Sequence, residues 1–254
     1  MTLQVGCTMH REYDPRDVVA LARHAEDVGL DAVWLVEDCF HTTAPSLAAA
    51  VLAATERIQV GIGILPAVAR NVAFTAMEAA TLARLGPGRV TIGIGHGVPD
   101  WMRQIGAAPR SPVGTLETVV SVLRRLMRGE EVTIDEHGVS LDAVRLDAVP
   151  EVAPDVLVGA RGPRSLAAAG RVADGIVVPE HATPDVVAAA LDHAGRSAGF
   201  RVAVYARWDE GHTTPATAAD YLDDLATAGV DSVGFFPSPD TTQAREDLTA
   251  LADW

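Results

Sequence analysis

The chain has 254 residues, 34 of them Asp or Glu against 20 basic residues, for a net charge of −14. That acidity argues against nucleic acid or an anionic membrane as a partner. No apolar run reaches the roughly 18 residues a membrane span needs, and the first residues lead into a strand instead of a signal peptide, so a cytoplasmic location is expected. Short β-rich runs then alternate with helical patterns along the chain. Strands are predicted at Leu3–Thr8, Ala32–Val36, Ile58–Leu65, Arg89–Gly95, Asp155–Ala160, Gly175–Pro179, Arg201–Ala206 and Ser232–Phe236. Helical spacing falls at Pro15–Val28, Pro45–Thr55, Val72–Leu85, Val113–Arg128, Arg164–Val172, Pro184–Ala198 and Pro215–Ala228. Such alternation predicts an α/β fold, a single (β/α)8 TIM barrel over residues 1–254. The stretch 129–154 reads as a polar loop or hairpin inserted within it, because Val132–Leu141 alternates in polarity around His137-Gly138.

A barrel of this kind keeps its chemistry at the C-terminal ends of its strands. Cys7, Thr8, Met9 and His10 follow the first strand, and Glu37, Asp38, Cys39, Phe40 and His41 follow the second. The third runs Gly61-Ile-Gly-Ile-Leu-Pro-Ala-Val-Ala-Arg70, the fourth Gly93-Ile-Gly-His-Gly97 and the fifth Gly159-Ala-Arg-Gly-Pro-Arg-Ser165. Glu180 and His181 follow the sixth; Arg207, Trp208 and Asp209 follow the seventh. His10, His41, His96 and His181, four of the eight histidines, therefore gather at the predicted mouth.

The residue types narrow the chemistry. All 20 basic residues are Arg, which excludes a lysine Schiff base. No His pair at helical i,i+4 spacing, no His-x-His and no Cys-x-x-Cys occurs, so no bound metal is expected. Cys7 and Cys39 do not make a disulfide framework and read more readily as small buried filler than as mouth residues. Gly159–Ser165 leaves a strand, turns and opens a helix. Its free N–H groups, the positive helix end and Arg161 or Arg164 together suit a phosphate. Gly93–Gly97 allows a second backbone segment close to the same ligand, with His96 as a donor. The competing reading is that these glycines only turn the chain.

Several segments carry a family resemblance. Arg57-Ile-Gln-Val-Gly-Ile-Gly-Ile64, Arg70 and Leu82-Ala-Arg-Leu-Gly-Pro-Gly-Arg-Val-Thr-Ile-Gly-Ile-Gly-His-Gly97 resemble the luciferase-like monooxygenase family. So do Pro112-Val-Gly-Thr115, Leu126-Met-Arg-Gly-Glu130, Pro154–Pro163 and Ala169-Gly-Arg-Val-Ala-Asp-Gly-Ile176. The Gly-Ala-x-Gly-Pro turn at 159–163 is most similar to the branch that uses the deazaflavin coenzyme F420, typified by methylenetetrahydromethanopterin reductase. The resemblance implies hydride transfer between F420, or alternatively FMN, and a small-molecule substrate. It implies a homodimer as well. It places the cofactor against Gly63, Ile64 and Leu65, where a non-proline cis peptide at Gly63–Ile64 bulges the third strand. It places the phosphate at His96, Gly97, Gly159, Ala160, Arg161, Gly162, Arg164 and Ser165.

The chain also departs from the family. The usual Glu/Asp-His at the end of the second strand is Glu37-Asp38 here, so that histidine is missing, and His41 lies three residues on. Cys7 stands where the reductase has a glutamate, so pterin reduction is not expected. The segment from Ala206 to Pro215 is short where the family often carries a helical insertion. Glu37 or Asp38 is the expected ring or proton-transfer contact, with His10 and His41 as lesser candidates. Two other readings stand beside this one: a cofactor-binding relative without turnover, and an unrelated phosphate-binding barrel such as an isomerase.

Overall fold

Side-chain alternation along eight short apolar runs gives each run one face toward a barrel interior and one toward surrounding helices. The structure, a computed structural model, describes residues 2–179, 182–207 and 215–252. The strands are β1 (Gln4–Met9), β2 (Ala32–Leu35), β3 (Gln59–Pro66), β4 (Val90–Gly95), β5 (Val132–Glu136), β6 (Val139–Val144), β7 (Asp155–Gly159), β8 (Gly175–Val178), β9 (Arg201–Arg207) and β10 (Ser232–Phe236). Eight of them close as a parallel barrel in the order β1-β10-β9-β8-β7-β4-β3-β2. The other two, β5 and β6, pair as an antiparallel ribbon within 129–154, turning at His137 and Gly138.

The helices are α1 (Pro15–Val28), α2 (Ala44–Ala54), α3 (Val72–Leu85), α4 (Pro99–Gln104), α5 (Pro112–Met127), α6 (Pro163–Val172), α7 (Pro184–Ala194), α8 (Pro215–Ala228) and α9 (Thr241–Ala252). α1 shows why they form. Asp14 accepts a hydrogen bond from the Arg16 N–H, Pro15 occupies the first turn, and Gly29 ends the helix at φ 95. Val18, Leu21, Ala22 and Ala25 form its buried stripe, and a fully buried leucine such as Leu21 contributes about 2 kcal/mol. α4 and α9 are additions to the elements read from the sequence. α7 ends at Ala194, short of the predicted Ala198, because Gly195 turns left-handed at φ 69.

The main core lies between strands and helices. A second cluster of Ala32, Trp34, Leu157, Val177, Ala203 and Tyr205, with Ile64 and Phe236 against it, fills the barrel interior. Trp34 fits only because Gly61 faces it: a Cβ there would lie 2.3 Å from the indole ring. Cys7 belongs to the outer core and is fully buried, and burial pushes its thiol up to about 12. It therefore faces away from the mouth. Among the described residues no helix is long and apolar enough to cross a membrane.

Candidate active site

The C-terminal ends of the barrel strands enclose a cavity of about 930 Å³. One wall is the bulge of β3. Its register against β4 shifts between Ile62 and Leu65, and the Gly63–Ile64 peptide bond is cis. Ile64 turns toward the cavity, whereas Leu65 is buried in the outer core. The Tyr205 hydroxyl donates to the Gly63 carbonyl at 3.2 Å from β9.

A corner with the features of an anion site lies at the ends of β4 and β7. Gly162 caps α6 without a side-chain hydrogen bond, and Pro163 fills the first turn. The first N–H to bond inside this helix is that of Leu166, to Gly162 O at 3.0 Å, which leaves those of Arg164 and Ser165 without a helical partner. Ser165 Oγ lies 2.8 Å from His96 Nε2. Gly97 carries the chain past them at φ 70. Burial keeps the His96 imidazole below its ordinary pKa, so the ring favours its neutral form. His96, Gly97, Gly159, Ala160, Arg161, Gly162 and Ser165 all line the cavity, and Arg164 stands exposed outside it. These residues fit a phosphate: an uncapped helix start, a hydroxyl, an imidazole and one arginine converge, and a Cβ on Gly162 would meet open space.

The third side comes from β1, β2 and β10. Glu37 reaches the cavity, but Arg70 binds both its oxygens, at 2.5 and 2.7 Å, and the Ala44 N–H donates to Oε2 at 3.0 Å. Arg70 also faces Glu78 at 3.3 Å. This carboxylate is an anchor between the β2 end and the segments that open α2 and α3. Asp38 also lines the cavity and pairs with Arg11 at 2.9 Å. Arg11 in turn binds Glu12 and holds its carboxyl below the ordinary range. Beyond Asp38 the chain passes a second cis peptide, Cys39–Phe40, and turns Phe40 outward, 68% exposed. His41 is exposed and does not line the cavity.

His10 does line the cavity. Its Nε2 lies 2.7 Å from the Pro237 carbonyl, which can only accept, so that nitrogen carries the proton and Nδ1 is left to exchange one. Tyr13 and Phe236 hold the ring, each at 5.2 Å between centroids. The rim residues Glu180, His181, Trp208 and Asp209 and the shortened connection after β9 lie outside the described residues. Sequence reading missed Tyr205, Trp101 and Phe236, which also line the cavity. For Tyr205 and Phe236 a signal existed: alternation with Ala203 and Gly234 puts them on the inner faces of their strands.

The model of the luciferase-like monooxygenase family matches residues 1–234. The chain belongs to this family. Its relatives include the 5,10-methylenetetrahydromethanopterin reductase of Methanolobus tindarius, 28% identical over 254 residues, covering 95% of this chain and 75% of that one. An F420-dependent glucose-6-phosphate dehydrogenase of Beutenbergia cavernae is 32% identical over 180 residues, covering 65% of this chain and 53% of that one. Among solved structures, the coenzyme F420-dependent tetrahydromethanopterin reductase of Methanopyrus kandleri superposes with a TM-score of 0.83 over 98% of each chain, at 19% identity. At that identity the likeness supports the barrel fold of this luciferase-like monooxygenase family member and nothing finer. The chain thus spans about three quarters and about half of the lengths of the two sequence relatives.

Proposed function

We propose that the protein is an oxidoreductase that binds coenzyme F420 at the barrel mouth and acts on a small organic substrate. When bound, the deazaflavin supplies a ring carbon that accepts or delivers a hydride. The observation that carries this reading is one cleft with an anion corner, His96 with Ser165 at the start of α6, and the β3 bulge at Gly63–Ile64. In it, Gly97, Gly159–Gly162, Ser165 and His96 hold the phosphate, and Gly63 and Ile64 back the ring. Leu65 supports the bulge from the core, and Arg164 adds positive charge outside the cavity.

The residues on the β1–β2–β10 side orient substrate and move protons. Asp38 and His10 line the same cavity, and His10 exchanges its proton at Nδ1 because Nε2 is tied to Pro237. Glu37 sets the shape of the mouth through Arg70. Equilibrium titration with F420 and with FMN, followed by fluorescence, tests the reading. Preference for the deazaflavin supports it, preference for FMN moves the protein to the flavin-dependent side of the family, and binding of neither defeats it.

A second reading, cofactor binding without turnover, is favoured by the engagement of Glu37 with Arg70 and the exposure of His41. It predicts tight binding with no reaction across aldehydes, alcohols, imines and enones. We also assign a homodimer. α2 carries no charged residue and α3 only Glu78 and Arg84, while Phe74 and Met77 of α3 are 63% and 53% exposed. In a chain of charge −14, that is a face on which a second copy meets little repulsion.

A further inference from the structure

β3 and β9 stand opposite each other in the closed barrel, four strands apart in either direction. The bond from Tyr205 to the Gly63 carbonyl therefore crosses the barrel's width. Gly63 is buried, and the register shift takes it out of the regular ladder with β4. Its carbonyl then needs a donor from elsewhere, and the Tyr205 hydroxyl supplies one. Only glycine permits the approach: a Cβ at position 63 would lie 1.5 Å from Tyr205 Oη.

Tyr205 is itself fixed. Trp34 and Phe236 pack edge-on against its ring at 5.7 and 5.9 Å. Burial pushes its phenol pKa up, which keeps the hydroxyl protonated as a donor. The far side of the bulge is held too. Ile64 fits a notch left by glycines of β4 and β7, where a Cβ on Gly95 would lie 1.9 Å from Ile64 Cδ1 and one on Gly159 2.8 Å from Ile64 Cγ2. The bulge is thus clamped by a hydrogen bond from β9 and by packing against β4 and β7.

We infer that Tyr205 is a positioning residue: through Gly63 it fixes the surface of β3 against which the cofactor ring lies. This rests on the cofactor reading above. Tyr205→Phe keeps the aromatic packing and removes only the donor. Affinity for F420 should fall about tenfold, as expected when a buried carbonyl loses its partner. The absorbance of the bound ring should shift toward that of the free cofactor, while inorganic phosphate, used as a probe of the His96–Ser165 corner alone, should bind as before. Gly63→Ala, whose Cβ would lie 1.5 Å from Tyr205 Oη and so displaces the same donor, should give the same split and serves if Tyr205→Phe does not fold. Unchanged F420 affinity and spectrum in a folded variant overturn the inference, as does an equal loss of phosphate and F420. If the wild-type protein binds no ring cofactor, the cofactor reading fails first and this inference with it.

Discussion

His96 Nε2 and Ser165 Oγ meet at 2.8 Å across 69 residues of sequence, joining the end of β4 to the first turn of α6. This contact makes two Gly-rich turns one site. Removing the hydroxyl should therefore weaken cofactor binding far more than folding. Ser165→Ala should lower F420 affinity about tenfold to a hundredfold, the range for a lost hydrogen bond to a charged group, with little change in Tm. Calorimetric titration beside a thermal melt checks both.

The burial of His96 has a consequence for pH. Its folded pKa lies below the ordinary 6.5, so between the two values the unfolded chain binds more protons and stability rises with pH. Above 6.5 both states hold a neutral ring and His96 adds no slope. As the pH falls from 6.5 through the folded value, stability is lost. Denaturant midpoints measured across that window should slope in the wild type, and His96→Gln should flatten the slope.

Glu37 and Arg70 test the division between anchor and catalyst. Their side chains are 10% and 19% exposed, and removing the Glu37 charge leaves Arg70 with Glu78 alone. Glu37→Gln should cost about 1–2 kcal/mol of unfolding free energy, less than for a wholly unpaired buried charge. A variant of full stability and sharply reduced turnover would instead return Glu37 to proton transfer.

The barrel was legible in the sequence because hydrophobic alternation and turn residues are local signals. So were the turn and helix start of the proposed phosphate corner, since Gly-Ala-Arg-Gly-Pro-Arg-Ser at 159–165 records both within seven residues. The pairing of Glu37 with Arg70, 33 residues away, was not, because nothing local says which carboxylate an arginine reaches. Alternation with Ala203 marks Tyr205 as inward-facing but not its partner, Gly63, which lies on a strand on the opposite side of the barrel. The outward position of His41, away from the cavity, was not legible either, because composition does not record how the chain turns beyond Asp38.

The α3 face supplies a prediction on assembly. Phe74→Glu with Met77→Glu puts two negative charges per chain on a sparsely charged surface of an already acidic protein. Sedimentation should show a dimer for the wild type and a monomer for the double variant, with the barrel's circular dichroism unchanged. A wild-type monomer would remove the assignment.

The most direct measurement is a crystal structure of the protein with F420. The phosphate should lie within hydrogen-bonding distance of Ser165 and the first N–H groups of α6, and the ring against Gly63 and Ile64. A ring lying away from the β3 bulge, or a phosphate bound elsewhere than the His96–Ser165 corner, would contradict the cofactor reading.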